Sequence, residues 1–247
     1  MEQLEGKTAV VTGAASGIGL AIVEAFVAEG MRVVMTDIDV ENLATQSARL
    51  AREGASVHAI AADVADPDAV DAVGRAAIDR YGQLNVAVNN AGVVSRGYSW
   101  ELPLQDWQRV IDIDLWGVVN GIRSFVPLML ASGQEGHVVN TASMAAVLPM
   151  DRLGPYTVAK HGVLGLSDVL RAEFEVLGAP IGVSVVMPGM VKTAMNPIGT
   201  ISADVVAAHV VDAMRRQRSY VFTDDQGEAG VRDRLGRIIA SKAEESG

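Results

Sequence analysis

The run Lys7 to Thr12, rich in β-branched residues, leads directly into Gly13-Ala14-Ala15-Ser16-Gly17-Ile18-Gly19 and then into an apolar periodic stretch, Leu20 to Glu29, closed by Gly30. The first segment suits a strand buried on both faces, and the last has the period and terminal glycine of a helix. Strand, glycine turn and helix in this order form the local context of a dinucleotide site. Gly13 permits the tight turn, Gly17 lets the backbone approach a pyrophosphate, and Gly19 lets the helix pack close to the strand. The helix N-terminus then offers free N–H groups and a partial positive charge. The spacing is Gly-x-x-x-Gly-x-Gly, and a glycine motif by itself can be no more than a turn.

A second strand, Arg32 to Thr36, ends in Asp37, eighteen residues after Gly19. An acidic side chain at that place accepts hydrogen bonds from the adenosine ribose and repels a 2′-phosphate. No Arg or Lys stands at Ala14, Ala15 or just after Asp37 to neutralise such a phosphate, so NAD is expected over NADP. The alternative is an ordinary turn aspartate at a strand end.

Proton chemistry is suggested further along. Tyr156 and Lys160 are four residues apart, with Ser143 thirteen residues before Tyr156. Residues four apart share one helix face. Tyrosine and lysine ordinarily titrate near ~10 and ~10.4, but a cation within roughly 4 to 6 Å lowers a phenol by about 1 to 3 units, into the range useful for acid/base catalysis. Alone, the pair also fits a surface Tyr and Lys on an amphipathic helix.

With these segments go Asp63-Val64, Asn89-Asn90-Ala91-Gly92 and Pro188-Gly189-Met190-Val191-Lys192-Thr193. Six motifs in this order resemble the short-chain dehydrogenase/reductase family, from about Lys7 to Thr223. The resemblance implies that Gly13, Ser16, Gly17, Ile18 and Gly19 hold the cofactor phosphates, that Asp37 holds the ribose, and that Asp63 and Val64 hold the adenine. Asn90, Ala91 and Gly92 would fix the central strand beside the cofactor, and Pro188, Gly189, Val191 and Thr193 would flank the nicotinamide. Ser143 would hydrogen-bond the substrate oxygen, Tyr156 would exchange the proton, and Lys160 would bind the nicotinamide ribose and tune the tyrosine. Hydride would pass between the carbinol carbon and nicotinamide C4.

One position departs from the family, which usually has asparagine where this chain has Asp114. The resemblance implies that the backbone carbonyl there, at a local helix distortion, holds a water linking the lysine to solvent. Asp114 is therefore expected to keep the relay while its carboxylate stabilises the Lys160 ammonium and partly offsets its effect on Tyr156. The alternative is that Asp114 only caps or bends its helix, read as Asp106 to Leu130.

The alternation of strands and helices calls for an α/β fold, a Rossmann-type doubly wound parallel sheet. About seven strands are read: Lys7 to Thr12, Arg32 to Asp37, Ser56 to Ala62, Leu84 to Asn89, Gly136 to Ser143, Ile181 to Met187 and Ser219 to Thr223. Residues 1–223 form the cofactor-binding and catalytic domain. Residues 224–247 form a tail of the same domain, running through Asp224 and Asp225 into a charged amphipathic segment, Glu228 to Lys242. That segment reads as a surface helix, a lid or a partly disordered tail. Apolar residues make up 49% of the 247-residue chain, which suits a sheet covered on both faces.

The substrate pocket is expected to involve Val94, Met144, Met150, Met190 and Met195, with Val147 and Ile198 nearby and Arg96, Asp151 and Arg152 as polar exceptions. Such a lining suits an apolar, cyclic or aromatic alcohol or ketone, although each methionine also fits a core. The reading is an NAD-dependent alcohol dehydrogenase/ketone reductase. The alternative is a dinucleotide-binding regulator that kept the fold without the chemistry. There is no cysteine, and the four histidines, His58, His137, His161 and His209, lack ligand spacing, so no metal site is expected. A net charge of −10 opposes nucleic-acid binding. The acidic N-terminus is no secretory signal, no long uninterrupted apolar run suggests a membrane span, and a cytoplasmic protein is expected. By the resemblance, the long helices Asp106 to Leu130 and Gly154 to Leu177 pack between subunits of a homodimer or homotetramer, using Val118, Val119, Ile122 and Phe125 with Val163, Leu166, Val169 and Leu170. The alternative buries both helices within one subunit.

Overall fold

The computed structural model describes residues 1–223 and 227–244. Strand β1 (Thr8–Thr12) is buried along its whole length, as its β-branched sequence requires. Its side chains alternate between two apolar layers. Val11 joins the core formed with Ile22 and Phe26, whereas Val10 joins the opposite core, with Phe125 and Phe174.

After β1 come α1 (Gly17–Ala28), β2 (Arg32–Asp37), α2 (Val40–Arg52), β3 (Val57–Ala61), α3 (Pro67–Tyr81) and β4 (Val86–Asn89). The second half contains α4 (Leu104–Ile111), α5 (Gly117–Ser132), β5 (Gly136–Thr141), α6 (Gly154–Leu177), β6 (Ile181–Met187), α7 (Ala203–Arg216), β7 (Tyr220–Phe222) and α8 (Glu228–Glu244). The seven strands are parallel in the order β3-β2-β1-β4-β5-β6-β7. The chain reverses its direction of travel across the sheet between β3 and β4. This leaves a crevice beyond the carboxyl ends of β1 and β4, the place where open α/β sheets bind ligands.

Strands β1, β3 and β7 are each a residue shorter than the sequence reading at one or both ends, and other boundaries differ more. Helix α1 begins at Gly17, so Gly17 and Gly19 lie in its first turn. Strand β5 stops at Thr141, because the Ser143 hydroxyl accepts the Ala145 N–H at 3.1 Å and caps a 3₁₀ turn, Met144–Ala146. β4 starts at Val86, although Asn85 N–H already pairs with Thr8 O of β1. The helix read as Asp106 to Leu130 is a longer rod divided by a π-turn, Asp112–Trp116, between α4 and α5. This rod, Leu104–Ser132, is long and apolar enough to cross a bilayer although Asn120 and Arg123 interrupt it; half of its most apolar window is buried inside the domain.

The apolar residues assigned to a subunit contact divide between two environments. Val118, Phe125, Val163 and Leu170 are buried within this subunit, whereas Val169 is exposed. At the C-terminus, α8 packs Val231 against a small core containing Met144 and Val163. Asp224 and Asp225 lie outside the described residues.

Candidate active site

A continuous cleft of about 620 Å³ opens over the carboxyl ends of the central strands. At one end the glycine turn forms its floor. Gly13 and Gly17 have φ of +65° and +55°, a conformation that favours glycine. Gly19 faces inward: a Cβ there would strike the Gly13 carbonyl and the Asn90 amide. It therefore supports the turn without lining the cleft, while Gly13, Ser16, Gly17 and Ile18 line it. The Ser16 side chain makes no capping bond to α1, so it leaves the first N–H groups of that helix available to an anion.

Asp37, at the end of β2, serves the same turn. One carboxylate oxygen accepts the Ala15 N–H at 2.9 Å and the other accepts the Asp39 N–H at 3.0 Å. Asn90 joins β4 to β1 across the switch point, donating from its side chain to Thr12 O at 3.0 Å and from its backbone to Thr12 Oγ1 at 2.9 Å. Asp63, Val64, Ala91 and Gly92 continue the wall. On the far side Pro188, Gly189, Val191 and Thr193 follow β6, and the Thr193 methyl lies close above Gly17. The segment from Ala194 to Ile201 folds back tightly, with Lys192 N–H donating to Ile201 O at 2.8 Å.

Ser143, Tyr156 and Lys160 converge in the middle of the cleft. Ser143 and Tyr156 are half-buried, and the Ser143 hydroxyl, already accepting from Ala145, keeps its proton to donate. Lys160 is 3% exposed and its Nζ lies 5.4 Å from the centre of the Tyr156 ring. Lys160 donates to Thr141 O at 3.1 Å, and the Asp114 carboxylate faces it at the same distance.

Asp114 is wholly buried in the π-turn, and its other oxygen accepts the Val93 N–H at 2.7 Å. The carboxylate oxygen facing Lys160 lies off the direction of a well-formed hydrogen bond, so the pair is primarily electrostatic. Burial pushes the Asp114 carboxyl up, opposed by Lys160 and the Val93 N–H. Burial also disfavours the Lys160 ammonium, but Asp114 and Tyr156 outweigh it and hold the group above its usual range. The helix distortion expected at Asp114 is present, and the carboxylate itself meets the lysine. The carbonyl that hydrogen-bonds Lys160 belongs to Thr141.

The family model for short chain dehydrogenase matches residues 7–199. The chain belongs to the short-chain dehydrogenase/reductase family. It is an oxidoreductase of that family. A relative from Streptomyces avermitilis, 1-deoxy-11-beta-hydroxypentalenate dehydrogenase, is 40% identical over 254 residues, covering 98% of this chain and 93% of its own. A short-chain dehydrogenase/reductase from Burkholderia phymatum, solved in complex with NAD, superposes with a TM-score of 0.95 at 31% identity, over 98% of this chain and 97% of that one. Levodione reductase superposes with a TM-score of 0.83 at 27% identity, over 92% and 98% of the two chains.

Of the residues read as a substrate pocket, Val94, Met144, Met150, Met190 and Met195 all line this cleft. Val147 and Ile198 do not line it. Val147 closes the 3₁₀ turn and packs into the core with Met144 and Val163, while Ile198 is 78% exposed beyond the cleft. Leu148, Leu153 and Ile113 also line the cleft and were missed: the first two sit on connecting segments without periodicity, and Ile113 sits in the π-helical stretch, where the ordinary helical period is broken. Gly227, just before α8, also lines the cleft, so the tail forms part of the wall. Ile38 borders the cleft beside Asp37 and is 67% exposed. Reading the side chain after Asp37 for apolar character would have identified it.

Proposed function

We propose that this protein is an NAD-dependent dehydrogenase/reductase that interconverts a secondary alcohol and a ketone on an apolar, cyclic body. The observation that carries the reading is that Ser143, Tyr156 and Lys160 share one cleft with the glycine turn and Asp37. The residues present suit a dinucleotide: uncapped helix N–H groups and a glycine floor for the pyrophosphate, Asp37 for a ribose, and Thr193 over the turn. Asp37 with Ile38 beside it supports NAD over NADP, because neither can neutralise a 2′-phosphate. The coenzyme, when bound, supplies or accepts the hydride.

The protein's own groups handle the proton. Ser143 donates a hydrogen bond from its hydroxyl to the substrate oxygen, keeping its proton, and so positions that oxygen at Tyr156. Tyr156 gives a proton to the oxygen in ketone reduction and takes one in alcohol oxidation. The Lys160 ammonium, kept charged by Asp114, favours the phenolate form between these steps. The apolar wall excludes water and strengthens those charges.

The relatives support the substrate class through their names, one a hydroxypentalenate dehydrogenase and one a levodione reductase. A homodimer or homotetramer through the exposed parts of α5 and α6, acting in the cytosol, completes the reading. A panel of cyclic secondary alcohols and ketones, followed by NADH absorbance, tests it. Turnover with NAD(H) on cyclic members is the expected result, and no turnover across the panel, with coenzyme binding intact, would favour the non-catalytic regulator.

A further inference from the structure

Among the described residues two cationic ones line the cleft, Lys160 and Arg96, and they differ in what holds them. Lys160 is buried against Asp114. Arg96 is exposed, and among the described residues its side chain has no ion pair and no hydrogen bond. The adjacent Arg152 is fully engaged: it donates to the Tyr98 hydroxyl at 2.9 Å, lies over the Tyr98 ring at 4.7 Å and faces Asp151 at 3.7 Å.

The backbone that carries Arg96 is nevertheless fixed. Gly97 donates to Arg152 O at 3.0 Å and pairs with Leu153, three residues before Tyr156. Arg96 is thereby tied to the reacting end of the cleft. The carboxylates Asp37, which ends β2, and Asp63, which follows β3, lie at the other end, and Asp114 is already paired. The cleft that Arg96 shares carries an apolar lining, including Val94, Leu148, Met150 and Leu153, the last paired with the neighbouring Gly97. A neutral substrate filling this end would leave the guanidinium with water as its only partner among the described residues. A carboxylate would give it direct hydrogen bonds, in the bidentate geometry that arginine matches.

We propose that Arg96 recognises a carboxylate on the substrate, so that the substrate is an apolar hydroxy acid or oxo acid whose acid group lies away from the reacting carbon. The proposal rests on the alcohol–ketone reading of the same cleft. Its test uses adamantane-1-carboxylate and the isosteric adamantane-1-carboxamide, two compact apolar probes with no group to react, titrated calorimetrically into the protein with and without saturating NADH.

The carboxylate is expected to bind roughly 10- to 100-fold more tightly than the amide, the range of a hydrogen-bonded charge pair, and the preference should shrink as salt rises. Arg96→Gln should abolish that preference while leaving amide binding unchanged, and Arg152→Gln should preserve it. Equal affinity for the two probes, a preference that survives Arg96→Gln, or no measurable carboxylate binding would each overturn the proposal. Failure to bind NADH would count against the coenzyme reading alone, since the probe ratio without NADH still judges Arg96.

Discussion

The two ends of the cleft are built by different means. At the coenzyme end the working groups are backbone atoms and a few side chains that hold backbone in place: the turn from Gly13 to Gly19, the Asp37 carboxylate on Ala15 N–H, and Asn90 on Thr12. At the substrate end they are apolar side chains on connecting segments, such as Met144 on a 3₁₀ turn and Met190 and Met195 on the loop after β6. The first kind of site requires particular residues at particular spacings. The second requires only bulk and hydrophobicity, which many residues supply.

The comparison is tested most severely where the two ends meet, at Tyr156. Tyr156→Phe keeps the ring and removes the proton, so turnover should fall by about 10² to 10⁴, the usual contribution of acid/base catalysis, while NADH titration is unchanged. Near-normal kcat would refute the assigned role. Next in size is the rigidity of the coenzyme end. Gly19→Ala forces a methyl into the Gly13 carbonyl and should destabilise the fold by about 1 to 3 kcal/mol, seen as a lower unfolding midpoint with weaker NADH binding. By contrast, Met190→Ala at the substrate end should alter KM while moving stability by less than about 0.5 kcal/mol. Equal stability losses in the two variants would dissolve the distinction.

A smaller effect concerns selection between coenzymes. Asp37→Ser removes both the repulsion of a 2′-phosphate and the ribose acceptor, and should narrow the preference for NAD over NADP by roughly 10- to 100-fold. The measurement is kcat/KM for both coenzymes in both proteins. Equal use of the two by the unmodified protein would remove Asp37 from this role.

The same difference explains what the sequence disclosed. The parallel, doubly wound sheet follows from alternating elements and the rule of right-handed crossovers, and the glycine turn could be placed because only glycine tolerates its φ angles and close approach. Tyr156 and Lys160 were legible because helical spacing puts them on one face. Leu148 and Leu153 were not, since nothing local distinguishes an apolar loop residue that faces a cleft from one that faces the core. Gly227 depends on where α8 docks, a tertiary fact absent from its neighbours in sequence. Asp114 lies between these cases: its departure from the family was visible, but its contact with Lys160 depends on how the π-turn and α6 pack together.

That contact gives the subtlest test. Asp114→Asn keeps the shape and the acceptor for Val93 N–H while removing the charge 3.1 Å from Lys160. Thr141 O still receives the ammonium. With less compensation, the positive field at Tyr156 strengthens, so alcohol oxidation should reach its plateau at a pH lower by about one unit. The pair also has a signature in stability. Because Lys160 is held above its unfolded value, its contribution is fully present at neutral pH and is lost only as pH rises through the folded value. The variant should lack that alkaline loss. The measurements are the pH profile of kcat/KM and alkaline unfolding in both proteins. A profile that stays in place would count against electrostatic tuning by Asp114, whereas a move to higher pH would overturn the expected direction and show that the carboxylate acts chiefly by keeping the buried lysine charged. Complete loss of activity in a folded variant would give the carboxylate a chemical role of its own.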